Sequence, residues 1–402
     1  MVAAVDPYLI DWLDLAFRFL HVIAAIVWIG TSFYFVALDN HLRPPADERD
    51  GERGVGGESW EIHGGGFYRI EKFRVTPPAI PEPLHWYKWE AYTTWLSGFA
   101  LFTALYYLRP RTYLIDPSVA DISPAVAIAA SIGLLVVGWL VYDLLCRTVA
   151  RRSEAALGVC VLALVVLTAY GVSHLLAPRA AYLQVGAMLG TIMVANVFFV
   201  IIPAHWELIR AKEAGREPDP AAGASGKQRS VHNNYLTLPV LFAMLSNHFA
   251  FTYTHAHAWL VLVCFMVIGA AIRHFFNLRH QGRNVWAIPV VAALALVGLA
   301  FWLEPEGTSP SATGAPVAFA RVQRIVSERC MPCHSQHPTQ PGFSSPPAGV
   351  AFDTPGQIKA EASAIEQLAV VLEFMPLNNA THMTQEERDA LGAWIRQGAN
   401  IP

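Results

Sequence analysis

The sequence predicts an all-α chain: an eight-helix transmembrane bundle over residues 1–303, a linker at 304–316, and a small soluble helical domain at 317–402. Three observations carry that prediction. Hydrophobic residues make up 54% of the 402 positions and charged residues only 15%, with a mean hydropathy of +0.36, a balance that belongs to membrane proteins. Eight stretches are long enough, at ~20 residues each, to cross a hydrocarbon layer ~30 Å thick. The C-terminal stretch instead mixes polar and apolar residues at helical spacing around a Cys-x-x-Cys-His motif. The net charge of -3 says little about partners in such a chain, and no nucleic-acid signature is present.

The spans fall near 17–38, 89–108, 123–146, 155–176, 182–203, 236–256, 257–279 and 285–303. The first is too long for a removed leader and lacks a small-residue cleavage site, so it reads as a retained anchor. The sixth and seventh meet at a short turn that carries His255 and His257. Lys and Arg concentrate in the odd-numbered connections, among them Arg69, Lys72, Arg74, Arg147, Arg151, Arg152, Arg210, Lys212, Arg273 and Arg279; the even ones hold only Arg109, Arg111 and Arg179. Basic residues stay on the cytoplasmic side. This predicts an inner-membrane, multi-pass protein in contact with lipid, with both termini and the C-terminal domain in the periplasm. Residues 304–316, rich in Pro, Gly, Ser and Thr, read as a flexible tether.

The motif is Cys330-Met331-Pro332-Cys333-His334. Two thiols at this spacing form thioethers to the vinyl groups of one haem, and the adjacent histidine then lies beneath the iron. Zinc would need two more ligands at matching spacing, and no second cysteine pair follows. Phe319, Val322, Ile325 and Val326 lead into the motif at helical spacing. A later helical pattern runs into Phe374-Met375-Pro376, and Met375 is the expected second axial ligand, ahead of its rival Met383. Thr384 to Glu387 form a capping box that opens a last helix with Leu391, Trp394 and Ile395 inward. This end of the chain resembles a class I cytochrome c, which implies one covalent haem c held by Cys330 and Cys333, with His334 and Met375 on its iron. Cys146, Cys160 and Cys264 lie in apolar stretches and read as buried small residues.

Histidines inside spans are costly and usually face a partner or cofactor. His21, His174, His248 and His255 fall in the periplasmic half and are candidate ligands of a second, b-type haem; interhelical hydrogen bonding is the plainer alternative. The first connection is too long to be a plain loop. It runs through His63-Gly64-Gly65-Gly66 and Tyr68 to Phe73 to Leu84-His85-Trp86-Tyr87-Lys88-Trp89-Glu90. His-Gly-Gly-Gly alone does not indicate a hydrolase, because no Gly-x-Ser-x-Gly turn accompanies it. Trp86, Tyr87 and Trp89 read as interfacial anchors. Glu90, His85 and Lys88 are the candidate catalytic set, able to bind a planar anion and move its protons.

Leu20-His21 followed by Trp28 and Gly30, the Tyr68 to Phe73 and Leu84 to Tyr92 segments, Asn247-His248-Phe249 and a terminal Cys-x-x-Cys-His domain together resemble the membrane-bound, cytochrome-linked bacterial urate oxidases. The resemblance covers essentially the whole chain. It implies oxidation of urate to 5-hydroxyisourate, with electrons leaving through haem c to a downstream cytochrome c or terminal oxidase and without hydrogen peroxide. The alternative class is a quinol-to-cytochrome c relay with no substrate chemistry of its own. A transporter fits less well, because the two halves show no repeat.

Overall fold

The computed structural model describes residues 6–304 and 315–402. Most of the expected linker, residues 305–314, lies outside the described residues.

Helix α1 (Pro7–His41) starts ten residues earlier than the apolar run alone suggests, because Asp6 caps it and Pro7 occupies its first position. Leu15, Phe19, Ile23 and Ile26 project from it exposed. A face of that kind is covered by lipid or by protein, not by water.

The next segment departs from the all-α expectation. Val55–His63 (β1) and Gly66–Phe73 (β2) form a two-stranded antiparallel sheet, pairing Glu58 with Glu71 and Trp60 with Arg69. The physical reason is a period-two pattern closed by the two-residue Gly64-Gly65 turn, which outweighs the long-loop reading. A bridge from Arg43 to Glu58 ties the hairpin to the end of α1, and Lys72 pairs with Asp39 at 2.5 Å. Arg69 binds Asp50 and Glu58 together and holds the Asp50 carboxyl below its usual range.

Among the described residues the bundle continues, apart from short helices such as Pro110–Tyr113 and Ala250–Tyr253, with α2 (Trp89–Phe102), α3 (Pro124–Thr148), α4 (Glu154–Ser173), α5 (Pro178–Asn196), α6 (Pro220–Leu245), α7 (Ala258–His280) and α8 (Ala287–Trp302). A π-turn, Thr103–Tyr107, prolongs α2; another, Val197–Ile201, joins α5 to Ile202–Glu213. Among the described residues five segments are long and apolar enough to cross a membrane: α1, α3, α4, α5 with its extension, and α7. The other three are helical where expected but fall short of that standard. Helix α2 has 14 residues before its π-turn and α8 has 16. Helix α6 opens on a polar half containing Lys227, Arg229, Asn233 and Asn234, so it begins well before the predicted 236 and ends at Leu245.

Helix α5 is the centre of the bundle, with Ala180, Ala181, Tyr182, Val185, Met188 and Ile192 all buried. It packs against α3, α4 and α6, while α1 packs on α2 and α7 on α6. Gly269 of α7 lets α6 come close: a Cβ there would lie 3.3 Å from the backbone at Leu238 and Pro239.

In the C-terminal domain α9 (Phe319–Arg329) and α10 (Gln385–Arg396) enclose Val322, Ile325, Val326, Leu391 and Trp394. Burial of the Trp394 side chain alone is worth roughly 3 kcal/mol. Thr384 and Glu387 form the expected reciprocal cap of α10. This domain rests on one end of the bundle. Arg109 donates to the Gly342 carbonyl (2.7 Å) and pairs with Asp11. Asn378 donates to the carbonyls of Thr112 and Ile115, each at 3.0 Å. Phe374 sets its edge on Tyr253, with ring centroids 5.5 Å apart.

Candidate functional site

The Cys-x-x-Cys-His motif occupies the turn that ends α9. The Cys330 amide still donates to Val326, and the His334 amide donates to Cys330 at 2.8 Å, so both thiols and the imidazole share one tight turn. His334 Nδ1 lies 3.0 Å from the Val350 carbonyl. Donation there leaves Nε2 with its lone pair, the form a metal ligand requires. Burial pushes the Cys330 thiol up to about 12 and Cys333 in the same direction, opposite to the depressed thiol of a redox Cys-x-x-Cys. The two are not joined to each other in a disulfide. Among the described residues no group of three His, Cys, Asp or Glu gathers as a metal cage.

Met375 packs against the same core as Cys330 and Met331. Its amide donates to Leu368 and its carbonyl accepts from the buried Arg388 guanidinium at 2.7 Å. Met383, the rival, is buried in that core with its amide held by Asn379. Arg388, which sequence reading passed over, therefore fixes the loop that presents Met375. An Arg in an otherwise ordinary amphipathic helix gave no signal of that role.

Where α1 meets α2, His21 Nδ1 lies 2.9 Å from the Thr94 carbonyl and 3.3 Å from Ser97 Oγ. Its ring lies flat enough on α2 that a Cβ on Gly98 would come within 2.7 Å of Cε1. Here too Nε2 is left for another partner. The other candidate haem-ligating histidines sit apart from it. His174 contacts the Tyr170 carbonyl of its own helix, His248 is exposed, and His255 stacks edge-on against Trp302. No hydrogen bond or ring contact joins any two of the four among the described residues.

The candidate catalytic set lies on the lead into α2. His85 is exposed and meets the Tyr87 ring edge-on. Lys88 Nζ stands 5.0 Å from the Trp86 ring centre, and Trp86 stacks on Trp206. Glu90 is half-buried, and its Oε2 is enclosed without a hydrogen-bond partner. The three are neighbours in sequence, but no hydrogen bond links them.

Two polar clusters within the bundle were not anticipated. In the first, Arg229 pairs with Asp143 at 2.7 Å and donates to Asn196, which also binds Tyr142 and Asn233. Tyr142 in turn meets His232 Nδ1 at 2.8 Å. In the second, Arg273 Nε donates to Asn234 Oδ1 at 2.9 Å, and Asn277 Nδ2 donates to the same oxygen at 3.0 Å. The Arg273 guanidinium lies 3.8 Å over the Phe33 ring. The count of basic residues assigned Arg273 to a connection; it lies inside α7, two turns before the end, and is buried. A charge within an apolar span was the available signal.

These features define a largely helical protein with five segments, among the described residues, long and apolar enough to cross a membrane, and with its C-terminal part seated on one end of the bundle. The profile of the urate oxidase N-terminal family matches residues 7–304. The chain therefore belongs to that family and is, at that level, an oxidoreductase with a urate-related function. No curated protein and no solved structure matches it.

Proposed function

We propose that this protein is an inner-membrane urate oxidase that passes electrons through its own haem c. Urate and one water give 5-hydroxyisourate, two protons and two electrons, so the reaction needs an acceptor but not oxygen. Cys330, Cys333, His334 and Met375 would hold a haem c, which would supply one-electron acceptance near the oxidising end of a respiratory chain. A downstream cytochrome c or terminal oxidase takes the electrons on. The observation that carries this reading is the seating of the motif-bearing domain on the family-matched bundle: Phe374, neighbour of Met375, rests on Tyr253.

The chain's own groups have separable parts in this. The enclosed, unpartnered oxygen of Glu90 is free to accept a urate proton, which suits it to the part of a general base. Lys88 and His85 lie at the mouth of that segment, where they attract the anion. His21, with Nε2 uncommitted, fits the role of one ligand to a b-type haem, with a second from among His174, His248 and His255.

The test is urate consumption under argon with an added one-electron acceptor, using the detergent-solubilised full chain. Stoichiometric acceptor reduction without hydrogen peroxide supports the reading. Glu90→Gln is expected to lower turnover about 100-fold or more at unchanged haem content, the usual scale for a lost general base. Unchanged turnover removes Glu90 from the site, and reduction by a quinol but not by urate replaces the reading with the relay.

A further inference from the structure

Buried arginines in this bundle come in two kinds. Arg229 has its carboxylate, Asp143, at 2.7 Å, which is how a structural intramembrane cation is normally accommodated. Arg273 is equally buried, at 4% exposure, yet no carboxylate pairs with it among the described residues. Its positive charge meets only the Asn234 amide oxygen and the face of Phe33. Isolated burial of this charge is costly, and a cation over an aromatic face recovers only about 2 kcal/mol when desolvated.

The polar atoms around it are also left incomplete. Arg273 Nη2, Asn234 Nδ2 and Asn277 Oδ1 are each enclosed and each lack a hydrogen-bond partner, on side chains at least nine-tenths buried. Arg273 and Asn277 are four residues apart on one face of α7, and Asn234 faces them from α6 across the close approach at Gly269. The set thus presents a cationic N–H, a neutral N–H and a carbonyl oxygen from one polar cluster, beside an aromatic ring. Planar anionic heterocycles carry the matching edge, with alternating ring N–H and exocyclic carbonyl groups.

We propose that Arg273, Asn234 and Asn277 form the recognition site for the planar purine anion, urate, in this chain. Arg273 and Asn234 donate to its carbonyl oxygens, and Asn277 accepts a ring N–H. This deepens the reading above and rests on it. Where α1 and α7 end, His41 and His280 meet with ring centroids 5.0 Å apart, and His41 also lines a groove of about 660 Å³ against the hairpin, so that an approach to the site from this end would follow the seam between the two helices. The pair lies seven to eight residues beyond Arg273 and Phe33, ~11 Å at the helical rise. Arg273 in turn lies 15 residues from the start of α7, ~22 Å from the end where the terminal domain sits. Electrons taken from urate here need a carrier within the bundle, which increases the importance of His21.

The test measures equilibrium binding of radiolabelled urate to the detergent-solubilised full chain, oxidised and without acceptor, and separately its reduction by urate. Arg273→Gln is expected to weaken urate binding about 10- to 100-fold, the scale of a lost charge-assisted hydrogen bond. Asn277→Asp supplies Arg273 with an internal carboxylate. Its pairing with Arg273 offsets the lost amide donation to Asn234, so the variant should keep thermal stability while weakening urate binding at least as strongly; a purely structural cluster predicts no loss of binding in this variant. Wild-type protein that binds urate while both variants bind it equally well overturns the site. Wild-type protein that neither binds urate nor is reduced by it overturns the urate reading itself. If Arg273→Gln does not fold, the Asn277→Asp result decides alone.

Discussion

If electrons leave through the terminal domain, weakening its seat on the bundle should slow their arrival without harming either part. Asn378 and Phe374 make that seat. Asn378 has φ of 52°, so Asn378→Gly removes the two amide donations to Thr112 and Ile115 while keeping a left-handed backbone that alanine would strain. Two hydrogen bonds at about 1 kcal/mol each give ~2 kcal/mol. Phe374→Ala removes the edge contact with Tyr253 and part of a buried ring, another ~2 kcal/mol. Together ~4 kcal/mol shifts the docked-to-undocked ratio by nearly 1,000-fold. Arg109 with Gly342, and Ser344 with Asp11, remain as hydrogen bonds between the parts on that face. The assay is stopped-flow reduction of the haem in the purified full chain, once by urate under argon and once by ascorbate. The double variant should be reduced more slowly by urate and at the wild-type rate by ascorbate, with an unchanged visible spectrum confirming that Met375 stays in place. A wild-type urate rate in that variant would refute the docked route.

Two further outcomes follow from the packing. Burial pushes Glu387 upward, but Arg329, bonded to it at 3.0 Å, and the Thr384 amide outweigh that and hold it below the usual glutamate range. The stability this adds is present above the unfolded value of about 4.3 and is lost as pH falls through the lowered folded value. Glu387→Gln should therefore flatten the acid limb of a thermal-melt series for the terminal domain's signal and lower stability by ~2 kcal/mol at neutral pH; an unaltered limb counts against the pair. In the bundle, Asp143→Ala leaves Arg229 buried without a carboxylate, a loss of about 3–5 kcal/mol, read as a lower melting temperature or lost expression. Restored melting in Asp143→Ala with Arg229→Met would identify the uncompensated charge as the cause.

Hydropathy and periodicity made most of the helices legible, because burial in lipid or in a small core leaves a direct mark on composition. The β-hairpin was written in the sequence as well, in the alternation from Gly57 to His63 and from Phe67 to Phe73, but a long polar connection conceals period two among membrane spans. The start of α6 was missed because its first half is polar, with only Gly226, Arg229, Asn233 and Asn234 turned inward, and tertiary packing rather than hydropathy sets it. Arg273 was hidden by its place near a helix end, where basic residues are ordinarily interfacial; only the positions of Asn234 and Asn277, far apart in sequence, show that it faces inward. Cys330, Cys333 and His334 were legible because their chemistry demands contiguous spacing. The contacts that seat the terminal domain, Asn378 on Thr112 and Phe374 on Tyr253, join positions too distant for any local pattern.

The most direct measurement is the visible spectrum of the purified protein under argon before and after urate, with pyridine haemochrome quantification of each haem type. The account predicts one haem c per chain that urate reduces without oxygen, with a b-type band accompanying it. A haem c that stays oxidised in urate and is reduced only by a quinol, or a chain that carries no haem c, would contradict it.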